Sequence, residues 1–174
     1  MLPQRREHIH RLADAVRNGC GLPSPLDVKL LATRLNGRII EESAAEFEAK
    51  IERDGAGFKI SLAKGSNERR QRFSIAHELG HLFLHMGYLV NDAKWKSSEP
   101  YKDAVYYRFG YSIEESEANE FAAALLMPRD EFRKVSHDNQ SGGMVDIDGV
   151  AEHFMVSADA ALTRGRWLNM FAWS

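Results

Sequence analysis

The chain has 174 residues, enough for one domain with a substantial hydrophobic core. Its net charge of −2 excludes a general electrostatic attraction to nucleic acids or anionic membranes. No segment approaches the roughly 18 uninterrupted apolar residues of a membrane span. The N-terminus lacks the apolar region of a secretion signal, and the single cysteine, Cys20, excludes an internal disulfide. We therefore expect a cytoplasmic protein.

The first third of the chain predicts two helices and two strands. Apolar periodicity predicts a helix over residues 4–18 and a second over 26–35. Strands are predicted over 38–42 and 58–62, with a turn at 54–57 before the second strand.

The most informative segment is His77-Glu78-Leu79-Gly80-His81, inside an apolar run that predicts a helix with Asn67 as N-cap. Two histidines four residues apart stack on one helix face, about 6 Å apart along the axis, so both rings can reach one metal ion. Glu78 would then lie beside the open metal position, where hydrolysis needs a general base. The pattern indicates a zinc-dependent peptidase. The alternative is two ordinary histidines on a half-buried helix.

Beyond this helix, the chain is polar and aromatic until a second long helix. Residues 105–111 alternate, which predicts either a strand at the rim of a cleft or a surface hairpin packed by its own aromatic side chains. The second helix is predicted over 114–127 and ends before Pro128.

A catalytic zinc site needs a third protein ligand. His85 continues the histidine stripe, but it would lie about 12 Å from His77 along one helix, so we expect it to pack or to contact a ligand. Four glutamates on the second helix are candidates. These are Glu114, Glu115, Glu117 and Glu120. Glu115 and Asn119 share one face, so one could bind metal while the other hydrogen-bonds a ligating histidine. Spacing alone leaves the choice open.

The C-terminal segment predicts a flexible joint at 141–143 and two short helices over 146–173, with Asp148 and Ser157 as N-caps. A helix-turn-helix arrangement would suggest DNA contact. Acidic side chains outnumber Arg164 and Arg166 there, which disfavours phosphate binding. We predict a zincin-like metallopeptidase domain over 1–140, with a helical segment over 141–174 packed on it.

Two blocks, residues 72–85 (RFSIAHELGHLFLH) and 115–128 (ESEANEFAAALLMP), closely resemble the ImmA/IrrE family of metallo-endopeptidases. That family carries an R-F-T-x-A-H-E-L-G-H block and a later E-x-E-A-N-x-F-A-A-x-L-L-M-P block. Residues 22–27 and 150–157 are also similar to family segments, so the resemblance covers most of the chain.

The resemblance implies an α+β, zincin-like fold, mainly helical, with a small mixed or antiparallel sheet beside the H-E-x-x-H helix. It implies Zn²⁺ as the cofactor, Glu78 as the base, and His77, His81 and Glu115 as the metal ligands. It also favours Asn119 as the partner of a ligating histidine, with Glu117 as the runner-up ligand. Glu114 and Glu120 are predicted to be solvated charges. The sequence does not choose an oxyanion partner from the tyrosines and histidines Tyr88, Tyr101, Tyr107, Tyr111, His137 and His153.

The implied function is an intracellular zinc endopeptidase that cuts a protein partner. In this family the partner is a helix-turn-helix repressor or an antitoxin-like regulator encoded nearby, in stress response, a mobile element or a toxin–antitoxin-like module. The alternative is a zinc-stabilised module that sequesters a transcription factor without cutting it. Direct nucleic-acid binding is disfavoured by charge, no membrane partner is expected, and the oligomeric state is left open.

Overall fold

A computed structural model describes residues 1–43, 47–99, 101–103 and 112–172, with the backbone alone for 101–103. The helices in this part of the chain are α1 (Pro3–Cys20), α2 (Val28–Arg34), α3 (Glu68–Leu84), α4 (Asp92–Lys96), α5 (Ile113–Leu126), α6 (Arg129–Asp138), α7 (Ile147–Phe154) and α8 (Ala158–Trp167). The strands are β1 (Gly37–Glu42), β2 (Ala49–Asp54), β3 (Gly57–Ala63), β4 (Tyr101–Asp103), β5 (Gln140–Ser141) and β6 (Met144–Val145). The predicted α+β, zincin-like class is confirmed. Among the described helices, none has both the length and the apolar character needed to cross a lipid bilayer.

The main sheet is small and mixed, with strand order β1-β3-β2-β4. β1 runs parallel to β3, whereas β2 is antiparallel to both β3 and β4. Alternate residues of the central strand β3, Phe58, Ile60 and Leu62, are buried in the hydrophobic core. The alternation that predicted this strand therefore marks its core-facing side.

β2 was not predicted, because the acidic stretch at 46–52 does not have the composition of a strand. In the structure Glu52 lies opposite Lys59 on β3, and it forms ion pairs with both Lys59 and Lys50. Opposite charges on neighbouring strands favour pairing. The charges of β2 are thus matched by a partner strand, which local composition does not show.

Helices α1 and α3 both pack on α5, and α3 also lies against strands β2 and β3. The start of α3 is fixed by the predicted N-cap Asn67, whose side chain accepts a hydrogen bond from the Arg70 amide. Ser112 caps α5 in the same way, accepting from the Glu115 amide. These caps fix the residue at which each of the two helices begins.

The C-terminal segment differs in detail from the prediction. The expected flexible joint is the turn of a hairpin, β5-β6, with Gly142 and Gly143 at φ 60° and 83°. Two consecutive left-handed residues suit a two-residue hairpin turn, and glycine adopts them without strain. The N-cap of α7 is Asp146, which accepts from the Asp148 amide, so the prediction of Asp148 was wrong. Ser157 caps α8 as predicted.

Arg164 attaches α8 to the rest of the fold. This side chain is buried, and its Nε donates to the Met127 carbonyl at 3.0 Å. Its Nη1 lies 3.4 Å from Glu120 Oε1 and 3.2 Å from His10 Nε2. One guanidinium thus links α8 to α5 and α1. The boundary at residue 140 between the metallopeptidase domain and the C-terminal helical segment stays a prediction.

Candidate metal centre

The H-E-x-x-H segment lies in the buried middle of α3. His77 and His81 are each 1% exposed, and Glu78 is 0% exposed. Because the histidines are one helical turn apart, their rings stand side by side, with the two Nε2 atoms 3.0 Å apart. Two nitrogen atoms that could bind a metal ion are therefore presented to one point, and the buried Glu78 follows His77 in the same helix.

α5 brings a third donor group to the same point. Glu115 Oε2 lies 3.1 Å from His77 Nε2, and Oε1 lies 3.3 Å from His81 Nε2. The ligand atoms of these three residues all lie within 4.8 Å of one another. Among the described residues, this is the group of histidine, cysteine and acidic side chains whose geometry could hold a metal ion.

The close approach of α5 to α3 depends on Gly80. A Cβ at this position would meet Ala118 of α5, 2.9 Å from its Cα and 3.0 Å from its carbonyl oxygen. The missing side chain lets the backbones come close enough for Glu115 to reach both histidines. The glycine inside the motif is therefore part of the site's geometry.

The donor set fits a divalent cation. Asn119 Oδ1 lies 2.9 Å from His77 Nδ1, so Nδ1 can donate to it and, in a neutral ring, leave the lone pair of Nε2 for a metal ion. The opposite nitrogen of His81, Nδ1, lies 3.0 Å from His85 Nδ1. Two imidazole nitrogens and one carboxylate are the ligand types of a catalytic zinc site, and two ligands bound tetrahedrally at about 2.1 Å lie roughly 3.4 Å apart. The observed separations are of that size.

The electrostatics of Glu115 agree with a charged ligand. Burial alone would raise the pKa of its carboxyl group, but the hydrogen bonds and charges of His77 and His81 outweigh burial and hold the pKa well below its ordinary value. Burial is also the largest influence on His85, and it lowers the pKa of that imidazole. The two histidines thus favour the charged form of Glu115, whereas burial favours the neutral form of His85.

The other glutamates of α5 have different surroundings. Glu117 accepts from Arg5 Nε at 2.6 Å and lies 3.2 Å from His85 Nε2, so it faces a neighbour of the ligands. Glu114 is exposed, as predicted. Glu120 is only 8% exposed, and the prediction of a solvated charge was wrong for it. Its carboxylate is paired with His10 at 2.5 Å, with Arg6 at 3.3 Å and with Arg164.

The candidate oxyanion partners are distributed widely. The Tyr88 hydroxyl donates to the Leu35 carbonyl at 2.6 Å, and its ring packs on Phe58 and Trp95 in the core. His153 pairs with Glu131 on α6 at 3.0 Å. His137 is exposed on α6. The side chain of Tyr101, together with Tyr107, Tyr111 and the predicted strand at 105–111, lies outside the described residues.

A cavity of about 570 Å³ adjoins the candidate centre. Asn119 and Phe73 line it on one side, and Thr163 and Trp167 of α8 line it on the other. Asn119 thus borders this cavity while it holds His77. The cavity therefore meets the centre at Asn119, and its lining does not include His77, His81 or Glu115.

Sequence reasoning missed Arg5 and the pairing of Glu120. Both depend on α1, whose side chains meet α5 across more than 100 residues of chain. The signal that could have found them is the basic face of the first helix opposite the acidic face of α5. Opposite charges on two helices indicate complementary faces only when the helices are known to pack.

Comparisons with known proteins agree with this geometry. The profile of a peptidase family described as the IrrE N-terminal-like domain matches residues 32–165, more than half of the chain. The chain belongs to this family, which confirms the resemblance found in the sequence.

A solved structure of a Mycobacterium tuberculosis transcriptional regulator shares the fold, with a TM-score of 0.62 and 16% sequence identity. The similarity covers 91% of this chain and 46% of that protein, so this chain spans less than half of its length. No curated protein matches the sequence. A metallopeptidase family and a His-His-Glu donor set both indicate a metal site.

Proposed function

We propose that this protein is a zinc-dependent endopeptidase that cuts a regulatory protein partner inside the cell. The observation that carries the proposal is the convergence of His77, His81 and Glu115, whose ligand atoms lie within 4.8 Å of one another. These residues would hold zinc, which supplies a Lewis acid for the scissile carbonyl when bound. The peptidase family of the chain supports the reaction class.

Glu78 is the residue we assign as general base. It follows His77 directly on α3 and is fully buried, in a position where a carboxylate would take the proton of the attacking water. It would then deliver that proton to the leaving amine. Asn119 keeps the proton of His77 on Nδ1, so Nε2 remains a ligand throughout.

A protein substrate is favoured over DNA by the charge of the C-terminal helices. Arg164 is buried and bonded to the Met127 carbonyl, so it is withdrawn from any phosphate. The family resemblance points to a DNA-binding repressor or an antitoxin-like regulator as the partner. We expect that partner to be encoded next to this protein's gene.

The test is to incubate the purified protein and zinc with the regulator encoded by the neighbouring gene. Wild type should cut it at a specific bond, and Glu78→Gln should keep zinc but cut about 10²- to 10⁴-fold more slowly. Glu114→Gln, an exposed glutamate on α5, is the matched control and should cut at the wild-type rate. A stable complex without cleavage would instead favour a sequestering module, and near wild-type cleavage by Glu78→Gln would remove Glu78 as the base.

A further inference from the structure

A chain of polar contacts leads away from the candidate metal centre on the side opposite Glu115. His81 Nδ1 lies 3.0 Å from His85 Nδ1, and His85 Nε2 lies 3.2 Å from Glu117 Oε2. Arg5 of α1 closes the chain, with Nε 2.6 Å from Glu117 Oε1 and Nη2 bonded to Oε2. His81, His85 and Glu117 are all at least nine-tenths buried.

The chemistry of these groups gives every contact a direction. A guanidinium can only donate, so Glu117 accepts from Arg5 as a carboxylate. That carboxylate also accepts from His85 Nε2, so Nδ1 is the nitrogen of His85 that is left to accept a hydrogen bond from His81. His81 must then donate from Nδ1, which in a neutral ring leaves the lone pair of Nε2 available to a metal ion.

We propose that Arg5, Glu117 and His85 form a positioning relay that fixes the ring and the tautomer of His81 for metal binding. The inference rests on the proposed metal site and adds three residues outside it. His77 has a single-step counterpart, because Asn119 Oδ1 accepts a hydrogen bond from its Nδ1 directly. The relay instead takes three steps and links the N-terminal helix α1 to the metal centre through Glu117 and His85.

Two substitutions at His85 separate the relay from simple packing. In His85→Asn, Oδ1 stands where Nδ1 stood, so it can still accept from His81. In His85→Gln, the terminal amide reaches the place of Nε2 and can still bond Glu117, but this side chain no longer offers an acceptor at the place of Nδ1. Both remove the ring, so a purely structural role predicts similar effects for the two.

The experiment measures zinc affinity by competition with a chelator, and the absorption spectrum of the Co²⁺-loaded full-length protein. We expect His85→Gln to bind zinc about 10- to 100-fold more weakly, with an altered cobalt spectrum. His85→Asn should fall between His85→Gln and wild type. His137→Gln is the matched control, since His137 is exposed on α6, and it should leave both readouts unchanged.

Thermal unfolding of the metal-free variants shows whether each one folds. If His85→Gln does not fold, Arg5→Gln breaks the outer end of the relay, at a side chain that is 38% exposed, and should also weaken zinc binding. The relay would be overturned, but not the proposed function, if a folded His85→Gln showed wild-type zinc affinity and cobalt spectrum. The same holds for Arg5→Gln where that variant replaces it. A wild-type protein that binds no metal would overturn the proposed function as well.

Discussion

At Gly80, the packing of α3 on α5 and the geometry of the candidate metal centre both depend on the absence of one side-chain atom, Cβ. Because an added Cβ would lie 2.9 Å from Ala118 Cα, Gly80→Ala must push α3 and α5 apart. We expect a loss of about 1–3 kcal/mol in the free energy of unfolding, measured with urea. Zinc affinity should fall too, since Glu115 moves with α5.

The matched control for this substitution is Gly19→Ala, on α1. No atom lies within 4 Å of a Cβ at Gly19, so this change should not destabilise the protein. A Gly80→Ala variant with wild-type stability and zinc affinity would show that the spacing of α3 and α5 is not set at this contact.

The placement of a single side chain could be predicted where the geometry of one helix determines it. The spacing of His77 and His81 places both rings on one face in any α-helix, and Glu115 and Asn119 likewise share a face of α5. The burial and ion pairing of Glu117 and Glu120 could not be predicted in this way. Their partners lie on α1 and α8, and a buried ion pair depends on how these helices pack.

At the scale of elements, long periodic segments and side-chain caps were the most predictable. α5 was expected over 114–127 and is found at Ile113–Leu126, because its apolar face and Pro128 define it locally. β2 was missed because Glu52 is matched by Lys59 on the neighbouring strand β3, a pairing that local composition does not show. The five-residue helix α4 was missed because it is too short to show a period.

The whole molecule should respond to acid through its buried carboxylates. The hydrogen bond from Arg5 is the largest cause that lowers the pKa of Glu117. Burial would raise the pKa of Glu120, but the hydrogen bond from His10 and the surrounding charges outweigh it, so that pKa is lowered as well. A carboxyl group whose pKa is lower in the folded state stabilises the fold above its unfolded pKa, and loses that contribution as pH falls through the folded value.

We therefore expect the free energy of unfolding of the metal-free protein to fall as pH drops below the ordinary carboxyl pKa of 4.5. The slope should be shallower in Glu117→Gln and in Glu120→Gln, because each removes one such group. Urea unfolding at a series of pH values measures it, with Glu114→Gln as the control that keeps the wild-type slope. Identical slopes in all four proteins would contradict this assignment of the acid response.

The fold as a whole could be expected from the order of its elements, since strands followed by the H-E-x-x-H helix and a second acidic helix match a zincin. What the order could not give is how the first helix reaches the centre. Arg5 and His10 lie at least 110 residues from their partners on α5, and only the packing of α1 on α5 brings them together.

The most direct measurement is the zinc content of the purified protein after equilibrium dialysis, for wild type and for Glu115→Ala, with Glu114→Ala as the control. We expect one zinc per chain in wild type and in Glu114→Ala, and a clear loss in Glu115→Ala, because the Glu115 carboxylate lies within 3.3 Å of both imidazoles. Full zinc content in Glu115→Ala, or none in wild type, would contradict a centre built from His77, His81 and Glu115.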